Sequence, residues 1–160
     1  MERFGWPVRD LIKKKKLLII QPELYKYDVL LNEIENAIDK IKAKRLVIDS
    51  LTIIGMYFED PYKVRRAVFE ISRTFKRLGC TILAITEIAE GSESLSPFGV
   101  EEYVADGVIV LYYTKRDNSF LRAVAVRKMR FTDHSNKLHP LKIGSEGIIV
   151  FGTEEIFATI

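Results

Sequence analysis

An apolar run that ends in an acid is the first feature of this sequence that could do chemistry. Residues Arg45–Leu51 read RLVIDSL, and Asp49 directly follows the apolar residues Leu46–Ile48. Such a run predicts a buried strand of a parallel sheet, and the carboxyl ends of such strands open toward ligands. A carboxylate there can hold Mg²⁺ through water, and the hydroxyl of Ser50 can add a ligand. The alternative is that Asp49 caps the segment after the strand.

The sequence contains no glycine-rich loop that could grip the phosphates of a nucleotide. Such a loop ends in Lys followed by Ser or Thr, so that backbone N–H groups and the ammonium surround the phosphates. Only Gly5 precedes Gly55 in the chain. A strand typical of the metal site of nucleotide hydrolases is therefore present without the loop that grips ATP.

A second acid follows the next apolar run, Thr81–Ile85. Glu87 comes shortly after this run, where it could orient a water molecule or sense a γ-phosphate; a capping role is the alternative. The stretch from Glu87 to Asp106 holds six acids and no Lys or Arg. Because binding to a nucleic-acid backbone depends on basic residues, this stretch argues against nucleic acid as a partner.

A cluster of polar residues near the C-terminal end is the third candidate. Residues Lys128–His134 read KMRFTDH. If this segment is extended, its side chains alternate, and one face collects Lys128, Arg130, Thr132 and His134. Two cations, a hydroxyl and an imidazole on one face suit a polyphosphate, which arginine can bind through two N–H groups. The alternative is a solvated strand edge that is protected by charges.

Two amphipathic helices are predicted in the first half of the chain. Apolar residues recur at steps of three and four through Asp28–Ile41 and again from Val64 to Leu78, which places them on one side of each helix. Asp60 is predicted to cap the second helix, with Pro61 in its first turn and Gly79 at its exit.

Short apolar runs predict the sheet. Three of them are predicted to form parallel strands covered on both faces: Leu46–Ile48, Thr81–Ile85 and Val108–Leu111. The segments after a turn at 116–118 are predicted to form antiparallel hairpins: Phe120–Lys128, Leu138–Ile143 and Ile148–Phe151. The fold class is therefore α/β, a mostly parallel sheet flanked by helices with C-terminal antiparallel hairpin strands.

Three further features are interpreted as structural. Lys13–Lys16 is a run of four lysines, interpreted as a solvated turn before a strand at Leu17–Ile20; a nucleic-acid or membrane patch is the alternative. His139 and Trp6 have no other candidate residues around them in the sequence.

Length and composition restrict the class of protein. The 160 residues, 48% of them hydrophobic, predict a single domain, 1–160, with its own core. A net charge of +3 does not by itself indicate nucleic acid. A lone cysteine, Cys80, allows no intrachain disulfide, and no apolar run approaches the roughly 20 residues of a membrane span. We therefore expect a cytoplasmic protein. Abundant Lys, Glu and Ile, with one Gln, favour a thermophilic source.

Taken together, these stretches resemble the KaiC-like ATPases of the RecA superfamily. Four segments match: RLVIDSL (Arg45–Leu51), LSPFGVEEYVADGVIVL (Leu95–Leu111), RKMRFTDHS (Arg127–Ser135) and GIIVF (Gly147–Phe151). The resemblance implies a RecA-like fold, ATP and Mg²⁺ as cofactors, and rings that bind ATP between subunits.

The resemblance also implies roles for individual residues. Asp49 matches the Walker B aspartate that acts on Mg²⁺, with Ser50 beside it in the nucleotide site. Lys128 and Arg130 match a basic pair that reaches across a subunit boundary to a neighbour's ATP. Thr132 and His134 lie in the same element, the trans-acting finger, and are implied to assist.

The sequence departs from the family pattern in three respects. The Walker A loop is absent, and so is the pair of glutamates that activates water. Phe131 stands where the family often has glycine. Because positioning and electrostatics supply almost all phosphoryl-transfer catalysis, a chain without these groups is expected to bind ATP weakly and to be inactive alone.

The expected function is therefore that of the C-terminal portion of a KaiC-like ATPase, which keeps the Walker B strand and the finger but has no P-loop. A non-catalytic assembly or regulatory module that pairs with an intact relative is the alternative, and a recombinase-like DNA-binding protein is a third. The missing strand and helix predict an open sheet edge and uncovered apolar surface, so we expect self-association, most simply a two-fold dimer.

Overall fold

The structure, a computed structural model, describes residues 4–22, 26–89 and 91–156. The chain divides into two compact units. The first is Pro7–Val104, and the second joins Met1–Trp6 to Ala105–Ile160. The single domain expected from the length stays a prediction.

The first unit consists of helices and a two-stranded parallel sheet. In chain order its elements are α1 (Val8–Lys13), α2 (Tyr27–Ile41), β1 (Arg45–Asp49), a 3-10 helix (Leu51–Met56), α3 (Pro61–Arg77), β2 (Thr81–Ile85) and α4 (Glu101–Val104). The core lies between the helices and one face of the sheet. Both long helices thus form where the apolar periodicity predicts them.

Helix α3 has the ends that the sequence predicts. The Asp60 carboxylate accepts a 2.9 Å hydrogen bond from the backbone N–H of Tyr62, so it caps the helix as expected. Pro61 begins the first turn, and Gly79 has a positive φ of 74° just past the end. Phe75, on the apolar side of the helix, is fully buried.

Strands β1 and β2 pair in parallel, and their carboxyl ends are adjacent. Val47 lies opposite Leu83, and Asp49 lies opposite Ile85. One face of this sheet packs on the core through Leu46, Ile48 and Ile82. The other face is exposed along both strands. The register brings the two acids that follow these strands to the same end of the sheet.

The second unit is built on an antiparallel sheet of four strands. Its strands are β3 (Gly107–Arg116), β4 (Ser119–Met129), β5 (His139–Gly144) and β6 (Gly147–Val150), and they lie side by side in chain order. A two-residue turn after Arg116 joins the two longest strands. The C-terminal hairpins are therefore confirmed.

Two strand predictions are wrong. Residues Val108–Leu111 belong to β3, which pairs antiparallel with β4; a buried apolar run has the same composition in either kind of sheet, and only the hairpin turn that follows distinguishes them. Residues Leu17–Ile20 form no strand. Of the turn predicted at Lys13–Lys16, positions 14–16 do turn, whereas Lys13 is the last residue of α1. No helix within the described ranges is long and apolar enough to cross a membrane.

Candidate functional site

Asp49 lies where the sequence places it, at the carboxyl end of a parallel strand. It is the last residue of β1, and its side chain is exposed. The peptide bond that follows it, to Ser50, is cis. The N-cap of the next helix is Ser50, whose side chain makes no capping hydrogen bond. Asp49 is therefore not the cap of that helix, and its carboxylate faces solvent.

Glu87 is held at the same end of the sheet by two hydroxyl groups. The Ser50 hydroxyl donates a 3.0 Å hydrogen bond to Oε2 of Glu87, and the Thr52 hydroxyl donates to the same oxygen. The backbone N–H of Glu87 in turn donates to the Thr52 hydroxyl at 3.4 Å. These contacts join the segments that follow β1 and β2.

The hydroxyl groups favour the ionised form of Glu87. The hydrogen bond from Thr52, and after it the one from Ser50, lowers the pKa of the Glu87 carboxyl below its ordinary value of 4.5. An ionised carboxylate at a fixed position can accept a hydrogen bond from water or from a nucleotide-bound water. Ser50 donates to Glu87 here, and its use as a metal ligand stays a prediction.

Thr52 was not among the candidates from the sequence. The signal that could have found it is the polar pair in Ser50-Leu51-Thr52, directly after an apolar strand. A hydroxyl that follows one parallel strand can meet an acid that follows the neighbouring strand, because both segments leave the same edge of the sheet.

The donor set at the end of β1 suits Mg²⁺ only with help from water and phosphate. Within the part of the chain that the structure describes, no group of three or more His, Cys, Asp or Glu residues is placed to hold a metal ion. Mg²⁺ typically takes one or two carboxylates and completes its shell with waters and substrate phosphates. The exposed Asp49 carboxylate fits that limited role.

The basic pair, in the second unit, is anchored to the segment before β3. The ammonium of Lys128 donates a 2.8 Å hydrogen bond to the carbonyl of Ala105. Arg130 contacts Asp106 twice, through a 3.0 Å ion pair between its guanidinium and the carboxylate and through a 2.8 Å backbone hydrogen bond. These contacts fix the base of the segment that the sequence predicts to be a finger.

The segment after β4 is not extended, so the predicted shared face is wrong. Strand β4 ends at Met129, and the chain turns at Arg130 and Phe131. Phe131 has a positive φ of 59°, and its ring is fully exposed. A turn ends the alternation of side chains, so Lys128, Arg130, Thr132 and His134 are not aligned by strand geometry. The side chains of Thr132 and His134 are exposed, and the His134 ring contacts the Ser135 carbonyl at 3.0 Å.

His139 has a structural role, in agreement with its interpretation from the sequence. Its Nδ1 lies 2.7 Å from the carbonyl oxygen of Glu154, and its Nε2 lies 2.7 Å from the hydroxyl of Ser135. Because a carbonyl only accepts, the neutral ring donates from Nδ1 and accepts the hydroxyl proton at Nε2. His139 thus joins the loop after β4 to the segment after β6.

Comparisons with known proteins show which family this chain resembles. The profile of the family described as "ATPase: KaiC" matches residues 1–155. A UPF0273 protein of Methanocaldococcus jannaschii is 38% identical over 94% of this chain and 68% of its own length. A circadian clock oscillator protein KaiC of Prochlorococcus marinus is 34% identical over 92% of the chain. The chain spans only 32% of that KaiC protein.

A solved structure gives the same result for the fold. The crystal structure of a KaiC-like protein from the hyperthermophilic archaeon Pyrococcus horikoshii matches with a TM-score of 0.83 and 37% sequence identity. The match covers 94% of this chain and 67% of that one. The predicted α/β class, with a parallel sheet and C-terminal antiparallel strands, is therefore confirmed. On the family profile, the relatives and the fold together, this chain belongs to the family of KaiC-like ATPases.

Proposed function

We propose that this chain acts as the part of a KaiC-like ATPase that carries the Walker B strand and the trans-acting finger, and that it does not bind ATP tightly by itself. In this proposal Asp49 acts on Mg²⁺ through water, and Lys128 and Arg130 act on a nucleotide held by a neighbouring subunit. The phosphate grip comes from that neighbour, because this sequence has no loop that could supply it.

The observation that supports the Walker B role is the pair of carboxylates at the carboxyl end of the parallel sheet. Asp49 is exposed at the end of β1, and Glu87, just past the end of β2, accepts hydrogen bonds from two hydroxyls that lower its pKa. When Mg²⁺ is bound with a nucleotide, the ion neutralises charge on the phosphates. Glu87 can accept a hydrogen bond from a water at that site, but the sequence lacks the paired glutamates that would complete water activation.

The anchoring of the basic pair supports the role in trans. Arg130 keeps 44% of its side chain exposed while it pairs with Asp106. A polyphosphate offers several anionic oxygens and can bind a guanidinium through two N–H groups, so it can compete with the Asp106 carboxylate for Arg130. Lys128 lies two residues earlier, near the end of β4.

A regulatory module is the second candidate function, and the same anchored pair favours it. If the chain docks onto an intact KaiC-like relative, it offers Lys128 and Arg130 to the relative's ATP. The acidic stretch between β2 and β3, of which Glu90 lies outside the described residues, disfavours the third candidate, a DNA-binding protein.

The experiment is an ATPase assay on an intact KaiC-like relative, with and without this chain. We expect the chain to change the rate, and the double variant Lys128→Ala/Arg130→Ala to abolish the change. The matched control is Arg122→Ala/Lys142→Ala, which removes the same two charges from exposed positions on β4 and β5. If wild type and both double variants give the same rate, the finger does not act in trans.

A further inference from the structure

One face of the parallel sheet leaves apolar side chains uncovered. On this face, called here the open face, lie Arg45, Val47 and Asp49 of β1 and Thr81, Leu83 and Ile85 of β2. Val47 is 58% exposed, Leu83 57% and Ile85 40%. Their neighbours on each strand, Leu46, Ile48 and Ile82, point to the core instead. Three large apolar side chains side by side on a sheet face are typical of a surface that docks against something.

The charges on the open face are arranged symmetrically about its apolar centre. Along β1 the order is a cation at Arg45, an apolar residue at Val47 and an anion at Asp49. The two charged residues are about 13 Å apart, since a strand rises about 3.3 Å per residue. Reversing the strand direction exchanges the cation and the anion. The face is therefore complementary in charge to a reversed copy of itself.

We propose that two copies of this chain dock through their open faces around a two-fold axis that reverses the strand direction. The axis runs from β1 toward β2, so Val47 lies over Val47 of the second copy and Leu83 over Leu83. Arg45 of each copy then lies over Asp49 of the other, which gives two equivalent ion pairs. Stacked sheets in proteins are about 10 Å apart, a distance that large apolar and charged side chains can fill.

The direction of the two-fold axis follows from comparing the charge contacts in each way of stacking two open faces. A two-fold axis along the strands would put β1 over β2, so Arg45 would meet Thr81 and neither charge would find a partner. The same charges would repel in a parallel stacking of β1 on β1, with Arg45 over Arg45 and Asp49 over Asp49. Only the reversed stacking buries the apolar centre and pairs both charges.

The docking has a consequence for the site at the end of β1. In the dimer Asp49 faces Arg45 of the second copy and is no longer open to a metal ion. Docking through the open faces and the use of Asp49 at a nucleotide site are then mutually exclusive. This consequence rests on the proposed function, whereas the dimer itself does not.

The dimer is expected to be weak. Each strand of the open face has five residues, and the patch is smaller than the about 800 Å² per partner of a standard interface. Measurements therefore extend to high protein concentration. They are made at low salt, because dissolved ions weaken the attraction between exposed charges. The screening length is about 10 Å at 0.1 M ionic strength and is longer in less salt.

The test is a charge swap, followed by sedimentation equilibrium without nucleotide. Arg45→Glu and Asp49→Arg, made singly, place like charges over each other, and each should weaken dimerisation about tenfold. The double variant Arg45→Glu/Asp49→Arg restores opposite charges and should recover the wild-type dissociation constant. Lys142→Glu, an equal charge change at an exposed position on β5, is the control and should leave the constant unchanged.

Leu83→Glu separates face stacking from the pairing of strand edges. Edge pairing of two β1 strands would also bring Arg45 near Asp49, but it does not involve Leu83. Stacking puts two glutamates on the axis and should abolish the dimer. A dimer that survives Leu83→Glu, a monomeric wild type, or a charge swap that restores nothing would overturn the proposal. Circular dichroism on each variant checks that it folds. Because nucleotide is absent, a negative result leaves the proposed function untouched.

Discussion

The hydroxyl of Ser50 donates a 3.0 Å hydrogen bond to the carboxylate of Glu87, although 37 residues separate the two in the chain. The contact closes the carboxyl end of the parallel sheet, where β1 ends in Asp49. Thr52 donates to the same carboxylate. The acid after β2 is thus fixed by the polar residues after β1, so the two strands contribute to one site.

Thr52→Val is predicted to raise the pKa of Glu87 toward 4.5, because the Thr52 hydroxyl is the largest cause of its lowering. A carboxyl whose pKa is lowered by folding contributes stability that is present above pH 4.5 and is lost as the pH falls through its folded pKa. The stability difference between wild type and variant should therefore shrink below pH 4.5. A carbon-detected NMR titration of the Glu87 carboxyl measures the shift.

Two controls sharpen that titration. Ser50→Ala should raise the pKa of Glu87 by less than Thr52→Val, since its hydrogen bond is the second cause of the lowering. Thr81→Val removes a threonine hydroxyl from β2, and we expect no change in the Glu87 titration. Identical titration curves for wild type and Thr52→Val would show that the hydroxyl does not hold the carboxylate in solution.

The positions of these site residues could be predicted from the sequence only in part. Asp49 and Glu87 each follow an apolar run, and the ends of parallel strands meet, so their common edge was predictable. The contact of Thr52 with Glu87 depends on the course of the 3-10 helix that begins at Leu51. The turn at Phe131 was equally hidden, because the residues around it alternate as they would in a strand.

Tyr57→Phe is predicted to stabilise the first unit. The Tyr57 hydroxyl oxygen is buried and finds no hydrogen-bond partner among the residues that the structure describes. Removing a buried polar group without a partner removes its desolvation cost, so the free energy of unfolding should rise by about 1 kcal/mol. Urea unfolding followed by circular dichroism measures the change.

Tyr27→Phe is the matched variant. The ring of Tyr27 lies 6.1 Å from that of Tyr57, but its hydroxyl donates a 3.1 Å hydrogen bond to the Ala67 carbonyl. Removing this donor takes one hydrogen bond from the Ala67 carbonyl and should lower the free energy of unfolding by about 1 kcal/mol. If both tyrosine variants change stability in the same direction, the difference in hydrogen bonding is not the cause.

Phe131→Gly is predicted to stabilise the turn after β4. Phe131 has a φ of 59° and a fully exposed ring, so it loses no packing on substitution. A left-handed backbone costs about 1–2 kcal/mol for residues other than glycine. Glycine avoids most of this cost. Its greater freedom in the unfolded chain cancels part of the gain, so the free energy of unfolding should rise by a net of roughly 0.5–1 kcal/mol.

Phe131→Ala separates the backbone from the ring. Alanine also removes the ring but keeps the Cβ that makes the left-handed conformation unfavourable. Its unfolding free energy should stay close to that of wild type. Equal gains for the glycine and alanine variants would show that the exposed ring, and not the backbone, limits stability here.

The sequence determines the helices of this fold more fully than it determines the pairing of the strands. Helix α3 follows directly from its apolar periodicity and from Asp60, which caps it as predicted. The direction of β3 does not follow, because its apolar run reads the same in a parallel or an antiparallel sheet; the pairing depends on the turn and on β4. Local patterns predict elements well, whereas the pairing of strands depends on distant residues.

Titration calorimetry of the purified chain with MgATP tests the central claim most directly, with an intact KaiC-like relative as the positive control. We propose that Asp49 and Glu87 occupy a nucleotide-type site without a phosphate grip. We therefore expect no heat of binding in the micromolar range for this chain, and clear binding for the relative. Micromolar binding of MgATP that Asp49→Asn weakens would show that this proposal is wrong, because the chain would then hold the nucleotide without a glycine-rich loop.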